Sequence, residues 1–286
     1  MPCTGDAMMP QYGRYINAEA LASYLLKRRN PDGGFCFYGL DESSLNDTFY
    51  AVMILDLLGR LPTDGMTVEY VRSFQNDDGG FISVYSAWCT LKALEALGSS
   101  PLLDPGGYLL QRFRSHRIRD EVYIESLSIF ESSFYLADML AMTGRRELCR
   151  DIAGGVLMYG REDGSFGPPG GSSLMSTYFA LAILGLAGIA PPDGEKVANY
   201  VRSRAVKSGG FSKRPETGLA FMDETYYAVK ILEMLGERPY NTRETIGFIA
   251  SCQNENGGFR RARASGISGF DTSYYALESL RVLMSY

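Results

Sequence analysis

Five carboxylates recur at equivalent places along the chain. Asp47, Glu131, Asp223, Glu224 and Asp271 each fall twelve or thirteen residues before a recurring position held by Gly59, Gly144, Gly236 and Met284. Basic residues precede the later acids: Lys213 and Arg214, then Arg260, Arg261 and Arg263. Carboxylates beside cations can move protons, or share a divalent ion with a phosphate-bearing ligand. Arginine grips phosphate oxygens through paired hydrogen bonds. Each acid also has a plainer use, because an Asp at a helix start caps the helix or complements its dipole. Basic loop residues likewise often do no more than meet solvent.

Paired aromatics follow the acids. Ten residues before the recurring position stand Phe49, Trp88, Phe134, Tyr178, Tyr226 and Tyr274. Nine before it stand Tyr50, Cys89, Tyr135, Phe179, Tyr227 and Tyr275. Such rings fill a core, line a cavity or face a cation. Neighbours about 100° apart on a helix are expected to face different partners, one of them the core.

The register comes from an internal repeat. "DGGF" begins at Asp32 and Asp78, "DGSF" at Asp163, "SGGF" at Ser208 and "NGGF" at Asn256. The gaps are 46, 85, 45 and 48 residues, and a degenerate copy, "DEVY" at Asp120, divides the longest. Six units fill the chain. Within each, an apolar helix follows the turn, as in "TYFALAILGLA" and "TYYAVKILEML", and closes on a glycine suited to a left-handed C′ position. An amphipathic helix precedes the turn, as in "NAEALASYLLKRR", "MTVEYVRSFQN" and "EKVANYVRSRAVK". In "NTRE", Asn241 and Glu244 have the spacing of a capping box.

One helix class needs cover on two sides and the other on one. A closed ring meets both needs, with apolar helices inside and amphipathic ones outside. Six inner helices about 10 Å apart, each about 5 Å in radius, leave a space about 10 Å across, narrowed by side chains. The predicted fold is therefore all-α, a six-repeat α/α toroid of about twelve helices in one domain, residues 1–286.

Composition bounds the partners. The 286 residues are 45% hydrophobic and carry a net charge of −5 with no basic block, which argues against nucleic acid. No apolar run of about 18 residues would span a membrane. The first residues lack a signal-peptide pattern. Cys3, Cys36, Cys89, Cys149 and Cys252 share no close spacing and read as reduced thiols, hence a cytoplasmic protein. The only histidine, His116, sits between arginines at a helix end and reads as solvated.

The repeats resemble the α/α-toroid superfamily of protein prenyltransferase β subunits and terpene cyclases, squalene cyclases included. "QNDDGGF" and "QNENGGF" look like the cyclases' QxxxGxW repeat with Phe for Trp. "SVYSAWC" is similar to the prenyltransferases' "RSAYC", and "GGFSKRPE" to their "GGxxxRPE" loop. The resemblance implies an isoprenoid diphosphate held in a central aromatic cavity, with Phe49, Trp88, Tyr226 and Tyr274 against the chain. Arg214 falls where a prenyltransferase arginine holds the diphosphate, with Lys213, Arg260 and Arg261 as further candidates. The family's lysine and tyrosine at that site fall near Thr217 or Gly218 and at Glu224. The zinc-ligand positions fall on Phe221, Asp223 and Thr272, so no zinc is expected, although Mg2+ could accompany the diphosphate. The DxDD acid and the DDxxD motif are both absent. Asp47, Asp223 and Asp271 are then the candidate acids or bases. The alternative is a non-catalytic toroid that binds an α-subunit-like helical partner.

Overall fold

The computed structural model describes residues 12–116, 128–168, 171–239, 241–264 and 266–286. The degenerate "DEVY" turn and Cys3 lie outside them. Twelve α-helices are present among the described residues, with no strand beyond isolated antiparallel bridges. The amphipathic set is α1 (Ala18–Leu26), α3 (Met66–Arg72), α5 (Gly106–Ser115), α7 (Cys149–Leu157), α9 (Gly194–Arg202) and α11 (Thr242–Ser251). The apolar set is α2 (Leu45–Leu57), α4 (Val84–Ala96), α6 (Ile129–Met142), α8 (Leu174–Leu186), α10 (Met222–Met234) and α12 (Phe270–Leu283).

The apolar helices form a closed inner ring. Each packs on the next, and α12 returns to pack on α2. The six amphipathic helices stand outside. Polar bonds seal the joint between the last repeat and the first. Asn17 donates its amide to Gln253 Oε1 (2.8 Å), Gln253 Nε2 donates to the Asn17 carbonyl (3.0 Å), and Tyr24 OH donates to the Ser268 carbonyl (3.0 Å).

One local device repeats. The turn phenylalanines Phe35, Phe81, Phe166, Phe211 and Phe259 are at most 3% exposed. In four repeats the amide of that Phe donates to a hydroxyl on the following inner helix. The acceptors are Thr48, Thr177, Thr225 and Ser273, at 2.9–3.1 Å. Each hydroxyl in turn donates to the carbonyl four residues back. The inner helices end on Gly59, Gly98, Gly144, Gly188 and Gly236, all at positive φ of 62–76°.

Helix starts differ in two ways from expectation. The acids are not caps. Ser44 and Ser128 cap α2 and α6, and Asp47 and Glu131 sit three residues inside. Serine, with its short flexible hydroxyl, takes the capping role and leaves the carboxylates in the first turn. The capping box at Asn241 does not form. Asn241 instead donates Nδ2 to the buried Val206 carbonyl (3.3 Å), which ties α11 to the neighbouring turn. His116 is also not free in water: it is half-buried, with Nε2 3.1 Å from Ser133 Oγ on α6. Cys36, Cys89, Cys149 and Cys252 are buried free thiols. Among the described residues no helix is long and apolar enough to cross a membrane.

Candidate functional site

The inner helices all start at the same rim of the ring, because each follows its turn there. A helix rises about 1.5 Å per residue, so side chains at equal register form layers down the central space. The first-turn acids form the rim. The paired aromatics come about 5 Å deeper. A further layer lies about 5 Å below those.

The central cavity has a volume of about 240 Å³. Eleven aromatic residues line it, from both paired registers of every repeat except the second, where Cys89 replaces a ring. Both neighbours thus reach the cavity, contrary to the expectation that one would turn to the core. The central space is narrow enough for side chains 100° apart to meet across its edge. The rings contact one another around the circle. Phe49 meets Trp88 (4.9 Å between centroids), Trp88 meets Tyr135 (4.4 Å), and Phe134 meets Phe179 (5.3 Å). Tyr178 meets Tyr226 (5.7 Å), Tyr226 stacks on Tyr275 (4.7 Å), and Tyr274 meets Tyr50 (5.7 Å) across the closing joint. Burial pushes the phenols of Tyr50, Tyr226, Tyr227 and Tyr274 well above their ordinary range, so they stay neutral.

Four of the residues singled out in the sequence, Phe49, Trp88, Tyr226 and Tyr274, therefore share one wall. The seven charged candidates for the diphosphate and the chemistry, Asp47, Asp223, Asp271, Lys213, Arg214, Arg260 and Arg261, do not line this cavity. Asp47 accepts the Phe37 amide (2.9 Å). Asp223 is gripped by both Arg261 nitrogens, Nε at 3.0 Å and Nη2 at 2.7 Å. Arg260 donates to Asn254 Oδ1 (2.5 Å) and to the Ser251 carbonyl (2.7 Å), which binds its loop to the end of α11. Lys213 and Arg214 are exposed. Asp271, exposed at the rim, carries a carboxyl raised by the protein crowded about it, against the pull of the Thr272 amide, with Asp223 and Asp47 adding repulsion. Glu224 is raised too, chiefly by burial and then by Asp223. At the three zinc positions, Thr272 donates to the Phe259 carbonyl (2.8 Å) and Arg261 lies over the Phe221 ring (4.8 Å). Among the described residues no group of three or more His, Cys, Asp or Glu is arranged to hold a metal ion.

Sequence reasoning missed the deepest layer. Lys92, Asp138, Lys230 and Glu278 line the cavity beneath the rings. Asp138 Oδ2 accepts the Trp88 indole N–H at 2.8 Å, and Lys230 Nζ lies 3.6 Å from Glu278. The signal was present: all four stand six residues before the closing position. Glu131 also lines the cavity, and Tyr135 OH donates to it at 2.9 Å.

Known proteins share this architecture. The chain is 26% identical over 226 residues to a drimenyl diphosphate synthase of Streptantibioticus cattleyicolor, covering 69% of this chain and 42% of that one. A second drimenyl diphosphate synthase, from Streptomyces showdoensis, is 26% identical over 223 residues. The chain thus spans about two fifths of the length of these curated relatives. Among solved structures, Candida albicans protein geranylgeranyltransferase-I complexed with GGPP superposes with a TM-score of 0.72 at 15% identity, covering 93% of this chain and 91% of that one. The type II terpene cyclase MstE from Scytonema, in complex with geranylgeranyl dihydroxybenzoate, gives 0.58 at 14% identity over 97% of each chain. The family profile described as the prenyltransferase alpha-alpha toroid domain matches residues 7–113 and 125–284. With the closed double ring of helices, that match makes this chain a member of the prenyltransferase alpha-alpha toroid family.

Proposed function

We propose that the toroid is an enzyme that binds an isoprenoid diphosphate, with the hydrocarbon chain against the aromatic wall, and works on it through a carbocation. The observation that carries this reading is the unbroken circle of eleven aromatic side chains around the cavity. Aromatic faces attract a cation most strongly where water is excluded. Neutral phenols stabilise such a cation without capturing it as a phenolate would. The ligands in the names of the relatives and solved neighbours support the same substrate class. The cavity is smaller than the roughly 300–1,000 Å³ common for small-molecule sites, which favours a short prenyl chain.

Lys213 and Arg214 are exposed and would meet the diphosphate; Arg261, exposed too, and Arg260 are already engaged by Asp223 and the α11 end. Magnesium would travel with the diphosphate oxygens and neutralise part of their charge. Of the three candidate acids, Asp271 is suited to carry a proton, because partial desolvation and the nearby Asp223 and Asp47 carboxylates favour its neutral form. Asp223 is paired with Arg261, and Asp47 serves as acceptor for a backbone amide.

Trp88 is the only tryptophan in the chain and lines the cavity. Its fluorescence should change saturably as geranyl, farnesyl or geranylgeranyl diphosphate is added. No saturable change, with none by calorimetry, would leave the scaffold reading instead. Losing a charge-assisted hydrogen bond costs about 1.5–3 kcal/mol, or roughly 10- to 150-fold in affinity. Arg214→Ala should weaken binding by that factor and leave Tm unchanged. Equal binding by both proteins would keep the ligand and remove Arg214 as its anchor.

A further inference from the structure

In ring order, the register six residues before the closing position reads Met53, Lys92, Asp138, Ala182, Lys230 and Glu278. A lysine and an acid thus stand on neighbouring helices twice, at opposite sides of the ring, with Met53 and Ala182 between them; Lys230 pairs with Glu278, while Lys92 pairs with Glu95 on its own helix at 2.7 Å and Asp138 accepts from Trp88. All four charged side chains line the cavity. Those of Lys230 and Glu278 are only 17% and 12% exposed. Glu278 is also gripped by Arg281, through Nε at 3.1 Å and Nη2 at 3.0 Å, while Lys230 also pairs with Glu233.

A layer of charges is a poor end wall for a hydrocarbon. Ions taken from water need good partners, or their desolvation outweighs their attraction. A plain prenyl chain pushed against this layer would displace its remaining water and offer nothing in return. Nor does the layer suit a second diphosphate, because its two ammonium groups face two carboxylates. A hydroxyl group matches it, accepting from a lysine and donating to a carboxylate at once.

We propose that the layer of Lys92, Asp138, Lys230 and Glu278 is a specificity site for a hydroxyl carried on the isoprenoid. Seven residues separate this register from the rim acids, about 10 Å along the helices. The hydroxyl therefore lies about that far from the diphosphate end, and the preferred substrate is an oxygenated prenyl chain. This inference rests on the isoprenoid reading above and narrows it.

The test compares geranyl and farnesyl diphosphates with the same molecules hydroxylated at the terminal carbon, by Trp88 fluorescence and calorimetry. Sites built to hydrogen-bond a hydroxyl reject the analogue that lacks it. The wild-type protein should bind one of the hydroxylated probes at least about tenfold tighter than its plain counterpart. The double variant Lys230→Met, Glu278→Leu removes a pair together and leaves Glu233 with Arg281, 3.5 Å apart. It should lose most of that preference. Asp138→Asn keeps the side-chain shape and should lower the preference independently, so the test does not depend on one variant folding. Equal affinity for plain and hydroxylated probes, or a preference that survives both variants, overturns the proposal and leaves the isoprenoid reading standing. No binding of any of the four probes, nor of geranylgeranyl diphosphate, removes both.

Discussion

Tyrosine chemistry in this protein is set by burial. The phenols of Tyr12 and Tyr24, 1% and 2% exposed, are pushed up to about 12 by desolvation. A phenol whose folded value is raised binds its proton more tightly in the folded state. The resulting stability is complete below the unfolded value of about 10 and is lost as pH climbs towards 12. Each of the two should cost about 1.4 kcal/mol per pH unit across that window. Stability measured by denaturant should therefore fall between about pH 10 and 12, and by less in Tyr12→Phe and Tyr24→Phe, which have no proton to lose there. An unchanged slope with pH in both variants would mean that these phenols are open to water. The aromatic registers were legible because six aligned copies put rings at the same place. Their joint service to one cavity was not, because a helical wheel gives side-chain direction and not how tightly a ring closes. The charged register was equally visible to alignment. It went unread because Lys92, Asp138, Lys230 and Glu278 are scattered among four helices, and each alone looks like an ordinary surface charge.

At the scale of the element, the unit is an outer helix, a turn and an inner helix joined by a side-chain hydroxyl. Thr225 Oγ1 is buried, accepts the Phe211 amide at 3.0 Å and donates to the Phe221 carbonyl at 2.7 Å. Thr225→Val keeps the shape and strands a buried amide, a loss of about 1–3 kcal/mol. The urea midpoint should fall with an unchanged slope. No fall would mean that the amide finds another acceptor. Repeat two carries Ala87 in the same register and does without this bond, so the device strengthens a joint that packing already forms. Helix class, order and closing glycines could be read from periodicity and φ preference alone. The caps could not. Ser44 and Asp47 both have capping chemistry, and only the backbone geometry at Ser44 decides between them. Asn241 was drawn away from its own helix by the Val206 carbonyl, a contact 35 residues distant.

The whole molecule depends on one joint that no peptide bond crosses directly. In five turns the first glycine packs against the start of the next outer helix, and in the last repeat that helix is α1. A Cβ on Gly257 would stand 2.2 Å from the Ala20 carbonyl carbon and 2.3 Å from its oxygen, and Gly257 holds φ at +93°. Gly236 makes the control, with φ of +70° and nothing within 4 Å of an added Cβ. Gly236→Ala pays the left-handed strain of about 1–2 kcal/mol and nothing more. Gly257→Ala bears similar strain and must also part the last turn from α1. The paired bonds between Asn17 and Gln253 and the Tyr24 bond to Ser268 lie across the same joint and should open with it. Once α1 moves outwards, Phe270 at the start of α12 loses the Tyr24 ring, 5.6 Å away, and the Tyr50–Tyr274 contact across the ring opens. Hydrogen exchange should therefore quicken in α1 and α12 of Gly257→Ala, and Trp88 should lose its response to prenyl diphosphate, while Gly236→Ala keeps wild-type exchange in both helices. Matching exchange in the two variants would show that the other five joints hold the ring closed without this one.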